Sequence, residues 1–201
     1  MKTLNYFLIV AVCLSLCYSC SDTFEESTSE LKSGELGADK SHETKMVTVP
    51  FKAEFTVWRA LPPGTGECEA GSARETMMMK GKGKAAHLGQ LNEIYMTFCV
   101  NLSNSMYSFV EPGKFVAANG DELHFIGEGQ VLPYTGDNPK YQAQFNDELI
   151  IIGGTGRFEG ASGSAKTNAY VHGGSTDNDG DDPFYTDFFM TEGTITLKKG
   201  K

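Results

Sequence analysis

The residues of this chain that could do acid–base or metal chemistry are thinly spread. His87, His124 and His172 are far apart in sequence, with no H-E-x-x-H or other tight ligand spacing between them. A histidine so placed is more often structural or exposed than a ligand. Residues 177–182 read DNDGDD and put Asp177, Asp179 and Asp181 at alternate positions, a spacing that can wrap a calcium ion in hard oxygen ligands. Gly180 falls early for such a loop, however. The twelfth position, where a bidentate glutamate belongs, is Phe188. The segment therefore reads as an acidic hairpin loop, with no resident metal predicted.

Nucleophilic catalysis finds no better support. No G-x-S-x-G elbow occurs; Ser162 lies in Gly160-Ala161-Ser162-Gly163-Ser164, which lacks the spacing. The glycine-rich stretch 153–163, GGTGRFEGASG, invites a phosphate-loop reading. A dinucleotide loop needs G-x-G-x-x-G between a strand and a helix. Here Gly160 comes one residue late after Gly154 and Gly156, and the following SAKTNAYV alternates like a strand. No Gly-Lys-Ser/Thr follows either, so no nucleotide cofactor is expected. Gly153, Gly154, Gly156, Gly160 and Gly163 read instead as positions for tight turning and close packing, with Phe158 as a core anchor and Arg157 as a rim charge.

The elements that would position these groups are strands. Val47, Val49, Phe51, Ala53, Phe55 and Val57 occupy alternate positions, which predicts a strand with one buried face. Pro50 cannot donate to a ladder and marks an edge, a bulge or a strand start. The alternation returns at 94–102, 143–151, 165–171 and 195–197, with Asp147 the one acid on an apolar face. Asn119-Gly120 lies inside FVAANGDELHF (115–125) and predicts a hairpin in which both turn residues take positive φ. No convincing helical period appears. The count is about eight strands, near 47–58, 74–80, 84–102, 105–118, 121–131, 141–153, 164–172 and 184–198. That predicts an all-β fold, a closed barrel or a sandwich.

Three of these segments carry a family resemblance. IIGGTGRFEGASGSA (151–165) resembles the glycine-rich strand–turn–strand segment of plant allene oxide cyclases and dirigent proteins. Ala86-His87-Leu88-Gly89 and Ala117-Ala118-Asn119-Gly120-Asp121 are similar to segments of bacterial proteins of the same barrel group. The three motifs, in order, together with the eight strands cover most of 47–198. The resemblance implies a calycin-like, eight-stranded antiparallel barrel with an apolar interior able to hold a ligand. It also implies trimers, which are usual in the plant families. That would suit Phe188-Phe189, where both faces of a strand are apolar. The matched residues are turn and packing positions, so no catalytic residue of either family is carried over. Met77, Met78, Met79, Phe184, Tyr185, Phe188 and Phe189 are candidates for a cavity lining or for ordinary core.

The N-terminal part of the chain reads differently. Residues 1–19 open on Lys2 and continue with the mostly apolar LNYFLIVAVCLSL, the form of a signal peptide. The run ends LCYSC, which resembles a relaxed bacterial lipobox, with Ser19 before the cleavage point and Cys20 as the lipidated residue. An ordinary secretory signal cut near Cys20 is the alternative. Residues 20–46 form a polar tether with seven acids and three lysines. Asp22, Glu25 and Glu26 resemble the surface-export signals of Bacteroidetes-type lipoproteins; a solvated linker is the plainer reading.

The folded domain is expected over 47–201. Removal of 1–19 leaves 16 basic and 26 acidic residues, a net −10. That charge argues against nucleic acid and leaves the lipid as the one membrane attachment. In an exported chain Cys68 and Cys99 can pair or stand as two buried thiols; spacing alone does not decide. The expected product is an outer-membrane lipoprotein of the cell envelope, exposed at the surface. Its barrel would bind a small apolar ligand or an extracellular partner. Two alternatives are an isomerase or cyclase on a lipid-like substrate, and a structural or adhesion module with a filled barrel.

Overall fold

A computed structural model describes residues 45–60, 68, 74–173 and 185–199. Cys20, the N-terminal segments, the DNDGDD stretch and Phe184 lie outside them. The described chain is all-β, with fourteen strands in one antiparallel sheet. They are β1 (Met46–Pro50), β2 (Ala53–Arg59), β3 (Arg74–Ala85), β4 (Gly89–Asn101), β5 (Met106–Phe109), β6 (Gly113–Ala117), β7 (Glu122–Gln130), β8 (Leu132–Pro133), β9 (Tyr141–Phe145), β10 (Glu148–Gly154), β11 (Ser162–Lys166), β12 (Ala169–His172), β13 (Thr186–Met190) and β14 (Gly193–Lys198).

Fourteen strands replace the eight expected because most long runs are broken midway. The run at 46–59 breaks at Phe51-Lys52, just after Pro50, whose missing N–H cannot extend the ladder. The amide of Phe51 bonds instead to the Gly193 carbonyl, at the break between β13 and β14. The break between β11 and β12 lies alongside: Lys166 donates to Glu192, and Phe189 donates to Asn168. Thr167 donates in turn to Asp147, at the break between β9 and β10. Four breaks thus line up across four neighbouring runs as a seam.

Pairing follows sequence order along the runs. β2 pairs with β3, β3 with β4, and β4 with β5 and β6. β5 and β6 pair with β7, and β7 with β10. β10 pairs with β11, β9 with β12, β11 with β14, and β12 with β13. The last run also pairs with the first: β14 with β1 and β13 with β2.

Two local expectations are corrected. The sequence separates one strand near 74–80 from the next near 84–102. Instead β3 runs through Gly81 and Gly83, and the chain reverses at Ala86-His87-Leu88. A Cβ on Gly83 would overlap Phe55 and the Glu54 carbonyl, so the glycine serves the close approach of β3 to β2. At Asn119-Gly120 the hairpin forms, but only Gly120 takes positive φ (87°). The connection is a four-residue loop closed by Ala117 N–H to the Asp121 carbonyl at 2.9 Å, which relieves Asn119 of the left-handed conformation.

The core is densest on one side of the seam. Phe51, Phe115, Phe125, Phe158, Leu123 and Ile195 are completely buried there. Burial of each such side chain contributes about 1.5–3 kcal/mol. Rings run through the interior in contact: Phe188 stacks on Phe55 at 4.6 Å, Phe55 meets Phe115 edge-on at 5.2 Å, and Phe115 lies 4.4 Å from Phe125.

Candidate functional site

On the other side of the seam the interior is hollow. A cavity of about 250 Å³ is bounded by β2, β3, β4, β5, β7, β9, β10, β12 and β13. Strand alternation places Val57, Met77, Met79, Met96, Phe98, Phe109, Phe145, Val171 and Phe188 on its wall. Methionine suits such a wall because its flexible thioether fills irregular gaps. Of the sequence candidates, Met77, Met79 and Phe188 line this cavity. Met78, Tyr185 and Phe189 do not.

Few polar groups reach the hollow. Arg59, at the end of β2, lines it and donates from Nη2 to the Met77 Sδ at 2.7 Å. Tyr107, on β5, also lines it and is 8% exposed. Its hydroxyl donates to Asp147 Oδ2 at 3.1 Å. Burial, then the nearby Asp147 charge and the hydrogen bond to it, push the phenol well above its ordinary range. Tyr107 is therefore a donor held protonated. Asp147, the odd acid of its alternating run, lies in the break before β10, and its carboxylate fills the space over Gly129.

A second concentration of chemistry lies on the opposite face of the same wall. Asp187 on β13 is 7% exposed, yet its carboxylate accepts four hydrogen bonds. Thr56 Oγ1 donates to Oδ1 at 2.7 Å. Lys140 Nζ at 2.7 Å, His172 Nε2 at 2.9 Å and the Tyr141 hydroxyl at 3.1 Å all meet Oδ2. Burial works to raise the pKa of this acid. The bonds from Lys140, Thr56, His172 and Tyr141 outweigh it and hold the carboxyl well below the usual carboxylate range. Sequence reading missed this cluster, since its members come from β2, β9, β12, β13 and the residue before β9. The one local signal was an acid inside the apolar strand TDFFM.

The three histidines are not brought together. His87, at φ 67°, bonds through Nε2 to the Pro50 carbonyl at 3.0 Å and ties the turn to the end of β1. His124 meets Glu122 Oε2 at 2.8 Å, and Lys114 meets the other oxygen at 2.9 Å. The His124 and Lys114 bonds, in that order, lower the Glu122 pKa. Among the described residues no three His, Cys, Asp or Glu side chains gather as a metal site. The sulfurs of Cys68 and Cys99 are bonded, with Cα atoms 5.8 Å apart. Thr76 Oγ1 donates to the Cys68 sulfur at 2.9 Å.

Two of the glycine-rich motifs do meet, and they make structure. Thr155 N–H donates to the Glu122 carbonyl, and Thr155 Oγ1 accepts from Glu122 N–H at 2.9 Å. Asp121 accepts from Asn119 Nδ2 at 2.9 Å and from Arg157 N–H at 3.4 Å. The turn Gly156–Phe158 seats Phe158, fully buried, while Arg157 lies over its ring at 5.0 Å. Leu88, 4% exposed, anchors the third motif beside Gly89 (φ 74°). Gly153 and Gly154 end β10, Gly160 lies in the connection and Gly163 lies in β11; this junction is on the solid side, and none of the four lines the cavity.

No protein-family model matches this chain, and no curated protein matches it. Among solved structures it is similar to a pterocarpan synthase dirigent protein, at 12% identity and a TM-score of 0.41, over 78% of this chain and 87% of that one.

Proposed function

We propose that the chain is an exported lipoprotein whose sheet closes as an eight-run barrel and holds a small apolar ligand in its hollow half. Closure is supported by the pairing of the first run with the last, β14 on β1 and β13 on β2. Lipidation at Cys20, export and surface exposure rest on the signal-like residues 1–19, the LCYSC junction and the acidic tether.

The observation that carries ligand binding is the cavity itself. Its volume, about 250 Å³, exceeds the ~150 Å³ at which an apolar cavity takes up benzene and lies near the ~300 Å³ lower edge of small-molecule pockets. A ligand the size of two fused rings or a short acyl chain fits. The open volume stands against the filled-barrel alternative.

The enzyme alternative is favoured by one arrangement, the Arg59 guanidinium and the Tyr107 hydroxyl on a mostly apolar wall that also carries Ser105, Glu148, Thr167 and Thr186. A polar ligand atom could meet the Arg59 cation, or compete with Asp147 for the proton that Tyr107 retains.

The test is native mass spectrometry of the chain from residue 47, purified without detergent. A bound mass that leaves on denaturation, and is absent from Ala143→Phe, is the expected result. An apo mass together with no uptake of an apolar fluorescent probe rules the reading out. A ligand released chemically altered from wild type, but unaltered from Tyr107→Phe, moves the conclusion to the enzyme.

A further inference from the structure

Strand register assembles a second surface, on the outer face of β2, β3, β12 and β13. Lys80, Trp58, Tyr185, His172 and Tyr141 follow one another across five neighbouring positions: Lys80 opposes Trp58, and His172 opposes Tyr141. The rings of Trp58 and Tyr185 are 6.4 Å apart, and those of Tyr185 and His172 5.6 Å. The next row is Lys82, Thr56, Asp187 and Tyr170, each opposite the last. The third is Lys84, Glu54 and Phe189. Tyr170 stacks with Tyr141 at 5.1 Å and approaches Phe189 at 6.0 Å. At a strand spacing of about 4.8 Å, the first row is roughly 19 Å long.

A groove of about 450 Å³ opens on this face between the lysines of β3 and Asp187, Lys140 and Phe189. Its charge is opposite in sign to that of the chain. The outward positions of β2, β3 and β13, with Lys140, hold four lysines (Lys80, Lys82, Lys84, Lys140) and two carboxylates (Glu54, Asp187), while the chain carries −9. Lys140 is committed to Asp187 and Lys84 to Glu54 at 3.0 Å. Lys80 lies over the Tyr95 ring at 5.3 Å, and Lys82 is exposed beside the groove.

Half-exposed rings set among hydrogen-bonding groups suit a ligand that is apolar on its ring faces and polar at its rim. The electron-rich faces of Trp and Tyr attract the weakly positive C–H faces of a sugar ring. Thr56, Gln90 and the ammonium groups can meet hydroxyls. Lys82 supplies a cation for an acidic substituent. We propose that this outer wall binds an acidic saccharide, a chain bearing uronate groups. The site is separate from the cavity and does not depend on ligand binding there.

Trp58 is the only tryptophan of the chain, so its fluorescence reports on this face directly. The full chain, in a polyoxyethylene detergent free of sugar, is titrated with oligogalacturonate; neutral cello-oligosaccharide and duplex DNA serve as comparators. Expected are a saturable change in Trp58 emission with oligogalacturonate, at least tenfold weaker binding to the neutral oligosaccharide, and a similar tenfold loss in Lys82→Glu. Phe189→Ser should weaken binding as well. Because Lys82 is exposed, its variant should melt like wild type. No response to oligogalacturonate, an undiminished response in Lys82→Glu, or DNA binding of equal strength overturns the proposal.

Discussion

The hydroxyl of Tyr107 donates to the carboxylate of Asp147 at 3.1 Å, joining the short strand β5 to the break between β9 and β10. This bond links the cavity wall to the seam. Tyr107→Phe should cost about 1 kcal/mol, since the half-exposed acid left behind can be hydrated. The phenol is raised in the folded state relative to its unfolded value of about 10. Its contribution is therefore complete below pH 10 and lost progressively as pH rises above it. Denaturant unfolding between pH 8 and 11 should show stability falling at the alkaline end in wild type and a flatter limb in Tyr107→Phe.

Asp187 has the opposite sign. Its folded pKa is depressed, so its contribution is full above the unfolded carboxylate value of about 3.9 and is lost as pH falls below it. Asp187→Asn should lower stability at pH 7 by about 2 kcal/mol, because Lys140, Tyr141, Thr56 and His172 lose an ionised acceptor. The same variant should lose less than wild type between pH 5 and 3. Equal acid sensitivity of the two proteins would rule out this role.

Glycine position separates two superficially similar changes. Gly83→Ala forces a methyl into Phe55 and the Glu54 carbonyl and should destabilise by about 1–3 kcal/mol. Gly127 lines the cavity, and a Cβ there meets nothing closer than Phe109 at 3.5 Å. Gly127→Ala should be within about 0.5 kcal/mol of wild type. Thermal melts of the two variants check the contrast.

The Cys68–Cys99 bond closes a segment of 31 residues between β2 and the end of β4. Reduction, or the double change to serine, should lower stability by about 3 kcal/mol. Guanidinium titrations with and without reductant would measure it, and coincident curves would show that the bond contributes nothing.

Much of the fold was legible because period-two alternation is a local signal. Each of the eight expected segments overlaps at least one observed strand, while β3 bridges the gap between two of them and β8 lies outside all eight. The breaks within runs were not legible, because they depend on partners: Phe51 leaves its ladder to bond Gly193, which is 142 positions later. Gly81 and Gly83 fell between two expected strands because the reason for them, the closeness of Val57 and Phe55, lies on another strand. Phe158 could be read as an anchor from its place among glycines. The cavity could be guessed only in part, through Met77, Met79 and Phe188. Asp187 and Tyr107 gave little signal, since a buried polar residue is explained by its partners and those are remote in sequence.

The seam divides responsibilities within a small chain. The half built on Phe51, Phe115, Phe125, Phe158 and Ile195 is filled, and it holds the glycine junction and its anchors. The other half carries the hollow interior. On the proposed reading of the hollow as a ligand chamber, the side chains that would set what it accepts and those that fill the solid half are largely different residues. Under that proposal the glycine junction that keeps the chain folded says nothing about the ligand, and changes of ligand preference should follow from substitutions at positions such as Met96, Phe98, Ala143 and Val171.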